Sequence, residues 1–358
     1  MLRQEIGGDF SSYERRENKE KIRNVFQYLN GFSTKYFDSG RSALKAFLAN
    51  KQYRKVLLPG YICESVRDCF SKECDIEYYR VDCNIKIDWQ DLLKKCESGV
   101  DLVYLHFFNG YIDSEYDFDA LLKLKQKFGF VILEDTTHSF FTSPCLVGDY
   151  CVCSLRKWFP IADGGVLYSK NDIIVSDLPE CEWADKKRAA MLEKKNYLQG
   201  VSGDKQSFLA VFSATERALD EQISIYQASQ ASLETLKCID CDTLMECRKR
   251  NFSFLQKGIN NKAVACNGIN QVPLFFTMIQ EDRDELRRFF IEHDIYCPIH
   301  WPLYDELENL EDAVRIYKTE LSIPIDQRYD EKDMEYICQK YCEYVEWRKK
   351  RDRINSVQ

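Results

Sequence analysis

The stretch VCSLRKWFPIADGG, residues 152–165, determines how the rest of the chain is interpreted. An apolar run of strand type, residues 150–155, stops at Arg156 and Lys157, and two bulky aromatic residues, a proline and a double glycine follow. Apolar surroundings disfavour the charged form of a lysine, which lowers its pKa and frees a neutral amine for Schiff-base formation. The double glycine lets the backbone pass close behind a bound group. We therefore interpret Lys157 as a reactive amine, and the alternative is an ordinary surface lysine at a strand end.

From residue 35 onward, short apolar runs alternate with amphipathic segments. The runs predict strands at residues 55–59, 76–81, 101–108, 130–135, 149–155 and 164–170. The segments between them predict helices at residues 41–50, 64–73, 89–98 and 117–129, the last closed by a glycine. Strands that are apolar on both faces and separated by helices are typical of a mainly parallel sheet covered by helices. We predict an α/β fold.

The pattern changes after about residue 205. A helical region extends to roughly residue 258, and further apolar runs then alternate with helical segments up to a long closing helix. These runs are residues 264–268, 272–278 and 295–301, and the helical segments are residues 283–294 and 331–350. We predict a smaller C-terminal α+β domain over residues 226–358, preceded by an N-terminal arm and a large domain over residues 1–225.

Composition excludes several classes of protein. The formal net charge of −8 argues against a nucleic-acid partner, because neutralising phosphates requires a basic face. No apolar run is nearly as long as the roughly 18 uninterrupted apolar residues of a membrane span. The start MLRQEIGGDF is charged where a signal peptide would be apolar. We expect a soluble, cytoplasmic protein without a nucleic-acid or membrane partner.

Two other features have ordinary interpretations. The sixteen cysteines are scattered among apolar runs, so we interpret most as buried thiols and expect no metal site. The basic segments at residues 186–195 and 346–354 are typical of solvated helix faces. The first segment could instead line a pocket for a phosphorylated substrate.

Polar residues follow the ends of the predicted strands. Ligands of an open parallel sheet bind at the carboxyl ends of its strands, so these side chains are expected at one edge. They are Gly40, Arg41 and Ser42 before a helix, Tyr61 and Cys63, His106, Asp135 and His138, and Ser154 and Lys157. The run SGRSAL (39–44) suits a phosphate at a helix N-terminus, although it is also a plain helix cap. Asp135 and Lys157 can reach opposite ends of one planar ligand.

An ordered series of motifs carries a resemblance to a known family. The motifs are SGRSAL, VLLPGYICESV, VYLHFFNG, VILEDTTHSF, SLRKWFPIADGG, IHWP and LSIPIDQRYDEKDMEYI. Together they resemble the DegT/DnrJ/StrS sugar aminotransferases, which belong to the fold type I pyridoxal-phosphate enzymes, over nearly the whole chain. The resemblance implies pyridoxal 5′-phosphate as cofactor, glutamate as the expected amino donor and a nucleotide-linked keto sugar as acceptor. It also implies a homodimer with shared active sites and a place in polysaccharide biosynthesis.

The resemblance assigns roles position by position. Lys157 matches the lysine that holds the cofactor as an internal aldimine and shuttles a proton, and Asp135 matches the acid at the pyridinium nitrogen. His138 matches a residue that contacts the ring region. The positions that match the phosphate cradle are Gly40, Arg41, Ser42 and Ser154. His300 matches a histidine near the substrate.

Three positions depart from the family pattern. Cys63 stands where an aromatic residue commonly stacks on the ring, so Tyr61 or His106 is an alternative stacking residue. Ser154 lies three residues before the lysine, where the family often has five. Residues 215–217 stand near the place of an asparagine that usually reaches the phosphate from the neighbouring subunit.

Other functions remain open. A catalytically quiet binding or regulatory protein on the same scaffold is compatible with Cys63 and the altered phosphate region. Sugar dehydratases among the relatives generally have histidine at the lysine position, so Lys157 argues against that reaction. A nicotinamide-dependent dehydrogenase is disfavoured because no G-x-G-x-x-G follows the first strand.

Overall fold

A computed structural model describes residues 5–14, 22–49, 51–70, 74–259, 271–304, 307 and 309–355. The strands in these ranges are β1 (Ile6–Gly7), β2 (Ser33–Phe37), β3 (Lys55–Pro59), β4 (Asp75–Tyr79), β5 (Leu102–His106), β6 (Val131–Asp135), β7 (Tyr150–Ser154), β8 (Gly165–Ser169), β9 (Phe276–Ile279), β10 (Ile295–Tyr296) and β11 (Glu320–Ile323). The predicted strand at residues 264–268 lies outside the described residues.

The helices in the same ranges flank these strands. They are α1 (Val25–Tyr28), α2 (Gly40–Leu48), α3 (Glu64–Arg67), α4 (Trp89–Cys96), α5 (Phe118–Phe128), α6 (Trp183–Leu198), α7 (Lys205–Asp220), α8 (Gln230–Lys237), α9 (Cys241–Gly258), α10 (Arg283–Glu292), α11 (Glu311–Thr319) and α12 (Glu331–Asn355). Gly129 ends α5 in the left-handed conformation (φ 78°), as the sequence predicts. None of the described helices has both the length and the apolar character needed to cross a membrane.

The large sheet has seven strands in the order β2-β8-β7-β6-β5-β3-β4. The five strands from β7 to β4 run parallel. On the other side of β7, β8 pairs antiparallel with β7, and β2 pairs antiparallel with β8 and so runs in the direction of the five. The predicted, mainly parallel α/β fold is therefore confirmed. Parallel pairing brings the carboxyl ends of β3, β5, β6 and β7 to one edge, where the polar residues of the sequence motifs follow.

Two local predictions need correction. Within the described residues, the helix predicted over residues 64–73 is only the single turn α3, because the chain leaves the helix at Asp68, and residues 71–73 lie outside the described ranges. The basic segment at residues 186–195 lies in α6, but it is not a fully solvated face. Lys187 and Lys194 are only 6% and 2% exposed, because each pairs with a distant carboxylate.

The N-terminal arm packs on the C-terminal part of the chain. Strand β1 pairs in parallel with β10, and Ile6 belongs to the apolar cluster that lies beneath β9, β11 and α12. The Arg328 guanidinium donates to the carbonyls of Gly8 (3.1 Å) and Asp9 (3.2 Å). We retain the division of the chain near residue 225 as a proposal.

Candidate active site

Lys157 ends a 3₁₀ turn (Leu155–Lys157) that follows β7 directly. The next residue, Trp158, is fully buried, and its indole N–H donates to the carbonyl of Thr137 (2.8 Å). The Trp158 carbonyl accepts a hydrogen bond from the Gln327 side chain (2.8 Å). The aromatic residue after the lysine therefore anchors the turn in the core and leaves the lysine at the carboxyl edge of the sheet.

Two glycines let the start of α2 lie against the ends of β7 and β8. A Cβ atom on Gly165 would be 2.1 Å from the carbonyl oxygen of Ser39, and one on Gly40 would be 3.0 Å from Cβ of Ser154. The sequence predicts a close backbone approach at the double glycine. The group that approaches Gly165 is the backbone of the Ser39–Gly40 turn.

A cavity of about 290 Å³ opens at this edge. Eight residues that the sequence singles out line it, namely Gly40, Arg41, Cys63, His106, Asp135, His138, Ser154 and Lys157. Ser42, Tyr61 and His300 are not among the lining residues. The sheet thus gathers most of the candidate residues into one place, although they are spread over more than a hundred positions of the chain.

Asp135 is an ionised carboxylate in the wall of the cavity. Its Oδ2 accepts a hydrogen bond from Tyr104 (2.6 Å) and lies 3.1 Å from Nδ1 of His106, and its Oδ1 accepts the backbone N–H of Thr137 (2.9 Å). Burial acts to raise the pKa of Asp135, but His106 and the hydrogen bonds outweigh it and hold the pKa below its ordinary value. The site therefore holds a buried anion at neutral pH.

Lys157 has the opposite electrostatic character. Part of its surface opens to the cavity, but the surrounding protein lowers its pKa below the ordinary value for lysine. Desolvation is the main cause, and the neighbouring Arg156 cation acts in the same direction, while Cys63 and Asp135 oppose them. The direction agrees with the sequence-based expectation of a reactive amine.

His138 lies between three other rings. It stacks on Trp301 (centroids 5.6 Å apart, 24° between planes) and meets His106 (4.7 Å) and His300 (5.4 Å) edge on. Burial lowers the pKa of His138 well below its ordinary value, so the ring is neutral. Its Nδ1 accepts the backbone N–H of Asn109 (3.4 Å), which leaves the proton on Nε2. That buried Nε2 has no hydrogen-bond partner within the described ranges.

His300 is fixed by a buried acid. Its backbone N–H donates to Oε2 of Glu320 (2.7 Å), and its Nδ1 lies 3.3 Å from Oε1 of Glu320 and 3.1 Å from the hydroxyl of Ser322. The ring contacts that of His138 but is not part of the cavity lining, so a substrate role for His300 stays a prediction.

The other two residues outside the lining have structural neighbours. The Ser42 backbone N–H donates to the hydroxyl of Ser39 (3.1 Å), and the Ser42 hydroxyl accepts from Gln222 (3.2 Å). The ring of Tyr61 packs against Trp301 (5.1 Å) and is 2% exposed. The Ser42 hydroxyl therefore faces α7, and Tyr61 supports a residue of the cavity wall.

Cys63 lies in the cavity wall at the start of α3, where its thiol is 3.0 Å from the hydroxyl of Ser65. Of the two alternative stacking residues, His106 lines the cavity and Tyr61 does not. Trp301, from the IHWP segment, also supplies an indole to the lining. Which residue stacks on a bound ring stays a prediction.

Sequence reasoning missed several lining residues. Tyr104 lies two positions before His106 on β5 and so faces the same side, a signal that strand alternation could have provided. Arg156, Glu216 and Trp301 also line the cavity. The family resemblance places the region of Glu216 where an asparagine usually reaches the phosphate of the neighbouring subunit. In the structure, Glu216 instead lines the cavity of its own chain.

Glu134 precedes Asp135 on β6 and faces the other side of the sheet. Its carboxylate accepts the backbone N–H groups of Leu146 (3.0 Å), Val147 (3.1 Å) and Gly148 (3.1 Å). The thiols of Cys145 and Cys151 lie within 4.8 Å of it, which is a spacing that could hold a metal. Because the carboxylate already accepts three N–H groups, we assign it to holding the loop.

Comparison with known proteins gives no matching family model and no matching curated protein. Solved structures do match. A DegT/DnrJ/EryC1/StrS aminotransferase from Brucella abortus is 15% identical, with a TM-score of 0.61, over 89% of this chain and 88% of that one. PseC from Helicobacter pylori, an aminotransferase involved in the biosynthesis of pseudoaminic acid, is 13% identical, with a TM-score of 0.63, over 95% and 99% of the two chains.

A third match is Spr1654 from Streptococcus pneumoniae in its PLP form, which is 14% identical, with a TM-score of 0.58, over 86% of each chain. At these identities the likeness concerns the fold, and it extends over most of both chains in each case. The chain has the fold of the DegT/DnrJ/EryC1/StrS sugar aminotransferases, as the resemblance of its motifs predicts.

Proposed function

We propose that the protein is a pyridoxal-phosphate-dependent aminotransferase that moves an amino group from an amino acid, with glutamate as the expected donor, to a keto group of a nucleotide-linked sugar. One observation carries the proposal. Lys157, a lysine of lowered pKa, and Asp135, a buried carboxylate, line one cavity at the carboxyl edge of a parallel sheet. These are the two groups that would hold opposite ends of a pyridoxal ring.

The lining residues fit pyridoxal phosphate. The Asp135 carboxylate would accept the N–H of the pyridinium, and the unpartnered Nε2–H of His138 is a donor at the same wall. The first backbone N–H groups of α2, at Gly40 and Arg41, and the hydroxyl of Ser154 would meet the phosphate. A side chain at Gly40 would fill this cradle, since its Cβ would already contact Ser154.

Pyridoxal phosphate, when bound, supplies an electron sink for breaking a bond at the α carbon of the amino donor. Lys157 would hold the cofactor until the donor amine displaces its Nζ. The released Nζ, which gives up its proton more readily because burial lowers its pKa, would then carry a proton from the α carbon of the donor to the neighbouring exocyclic carbon. The Asp135 carboxylate would remain ionised and hold the proton at the ring nitrogen.

Separate observations support the acceptor and the oligomeric state in this proposal. The likeness in fold to sugar aminotransferases supports a keto-sugar acceptor, and PseC, which has this fold, is involved in the biosynthesis of pseudoaminic acid. A homodimer is supported by apolar side chains exposed on and between α6 and α7, namely Leu192, Val201 and Leu209. We also propose a cytoplasmic location.

The test starts from purified protein mixed with pyridoxal phosphate. We expect a yellow complex that borohydride fixes covalently, that L-glutamate bleaches, and that transfers the amine to a member of a panel of nucleotide keto sugars. Lys157→Ala should abolish the covalent fixation, and Lys170→Ala, an exposed lysine at the end of β8, should not. Protein that takes up no pyridoxal phosphate would exclude the proposal.

A catalytically quiet binding protein is the second candidate, and two observations favour it. Cys63 offers no ring to the cavity, and the Glu216 carboxylate faces the region where a phosphate would bind. A yellow complex whose colour no amino acid bleaches would support this second function.

A further inference from the structure

Arg156 extends its guanidinium into the same cavity as Lys157. The side chain is 16% exposed and lines the cavity together with Ser154 and Gly40. Its two terminal nitrogens donate to Glu216, at 2.6 and 3.4 Å. Its Nε is buried and has no partner among the described residues. The guanidinium is thus held by Glu216 and retains one unused donor, its Nε.

The carboxylate of Glu216 is shared between Arg156 and a second cation. The Nζ of Lys187 donates to the same Oε1 that accepts from Arg156. Burial acts against ionisation of Glu216, but Arg156 and Lys187 outweigh it and hold its pKa well below the usual range. Asp9 lies 3.9 Å from Lys187 and is half exposed, and Asp38 also faces this group. A carboxylate divided between two cations leaves the guanidinium able to bind another anion.

The position of Glu216 brings this cation to the start of α2. Gln222, just after α7, donates to Asp38 (2.8 Å) and to the hydroxyl of Ser42 (3.2 Å). Arg41 donates to the carbonyl of Leu219 (3.3 Å) in the last turn of α7. The end of α7 is therefore fixed against the first turn of α2. Glu216 lies one turn earlier in α7, so the guanidinium that it holds lines the same cavity as the first residues of α2, Gly40 and Arg41.

We infer that Arg156 binds the phosphate group of the cofactor from within the same chain, with Glu216 and Lys187 positioning it. This inference rests on the proposed function. The resemblance places an asparagine of the neighbouring subunit at this phosphate. In this chain the corresponding region is near residue 216, where Glu216 accepts from Arg156. Arg156 would supply the missing donor in cis, together with the N–H groups of α2 and the hydroxyl of Ser154. The same guanidinium chemistry would also suit the carboxylate of the amino donor, so the test separates the two anions.

The test compares pyridoxal phosphate with pyridoxal, which lacks the phosphate. Dissociation constants are measured by absorbance titration for the wild type, Arg156→Gln, Arg156→Lys and the control Arg217→Gln, an exposed arginine of α7. We expect Arg156→Gln to weaken pyridoxal phosphate by roughly tenfold to a hundredfold and to leave pyridoxal within about twofold. Arg156→Lys should recover part of the loss, and the control should bind both ligands as the wild type does.

A double variant tests whether the loss of binding comes only from changing the pairing of Glu216. Arg156→Gln leaves Glu216 with Lys187 alone, so Arg156→Gln/Glu216→Gln should show the same selective loss of the phosphorylated ligand. An unchanged ratio of the two dissociation constants, which includes an equal loss for both ligands, would overturn the inference. An unchanged ratio with a weakened response to glutamate would assign Arg156 to the donor carboxylate and would overturn it as well. Wild-type protein that binds neither ligand would refute the proposed function itself.

Discussion

The Nδ1 atom of His106 lies 3.1 Å from Oδ2 of Asp135, so two residues that are paired neighbours on β5 and β6 are in buried polar contact in the cavity wall. Burial alone would raise the pKa of Asp135, and His106 is the main group that reverses this effect. The charge that would hold a pyridinium therefore depends on a residue that need not contact the cofactor.

Replacing His106 tests this dependence. In His106→Gln we expect the pKa of Asp135 to rise, so the acid limb of the activity profile should move to higher pH. Measuring kcat against pH checks this expectation. His293→Gln is the matched control, because His293 bonds to a carbonyl of its own helix, α10, and does not line the cavity. An acid limb at the wild-type pH would contradict the dependence.

The lowered pKa of Lys157 predicts a pH-dependent effect on stability. The folded pKa lies below the unfolded value, so the charged amine destabilises the fold fully below the folded pKa, and the destabilisation disappears as the pH rises to about 10.5. Lys157→Met should therefore raise the Tm of the cofactor-free protein at pH 7 by roughly 2 °C or more. The gain should shrink toward pH 10.5.

Thermal unfolding at pH 7, 8.5 and 10 measures this gain. Lys170→Met, at an exposed lysine, is the control and should leave the Tm unchanged at each pH. A gain for Lys157→Met that stays constant over this range would show that the effect comes from packing and not from the charge.

The contact between β8 and the start of α2 predicts a graded series of alanine substitutions. Gly165→Ala places a Cβ 2.1 Å from a backbone oxygen that cannot move alone, so we expect a loss of roughly 2–4 kcal/mol in the free energy of unfolding. Gly40→Ala meets a side-chain Cβ at 3.0 Å and should lose less. Gly129→Ala meets nothing within 4 Å and should lose about 1 kcal/mol, from its left-handed φ alone. Urea unfolding ranks the three variants, and a loss at Gly165 no larger than at Gly129 would contradict the close approach.

Glu320 provides a test of the proposed substrate role of His300. Its carboxylate accepts from both the backbone and the ring of His300, so Glu320→Gln should loosen that ring without touching the cavity wall. We expect the KM for the sugar acceptor to rise several-fold, while bleaching of the yellow complex by glutamate continues at the wild-type rate. The two half-reactions are measured separately by stopped-flow absorbance. Equal damage to both would place His300 in a general structural role, and Glu331→Gln, at an exposed position, is the control.

The sequence predicts the parallel strands and most of the cavity wall because both follow from local patterns. Apolar runs mark β3, β5, β6 and β7, and the residues just past their ends must meet at one edge. Strand β2 was not predicted, because only Phe37 in it is fully buried and the strand lacks an apolar run.

Tertiary contacts explain what the sequence patterns do not predict. Glu216 and Trp301 reach the cavity from segments that do not follow the ends of the parallel strands, so the strand pattern does not predict them. Lys187 and Lys194 have the spacing of a solvated helix, and only their distant partners, Glu216 and Glu5, allow them to be buried. Such pairings join residues that are up to almost 190 positions apart, so a local sequence pattern cannot contain both partners.

The pairing of β1 with β10 has a consequence for the order of events during synthesis. The strand partner of Ile6 is Ile295, which a ribosome adding about 5–20 residues per second makes roughly 15–60 s later. The parallel sheet, complete at Ser169, can form well before that moment. Ile6 therefore stays without its partner strand while most of the polypeptide emerges, and closing the arm belongs to the last stage of maturation.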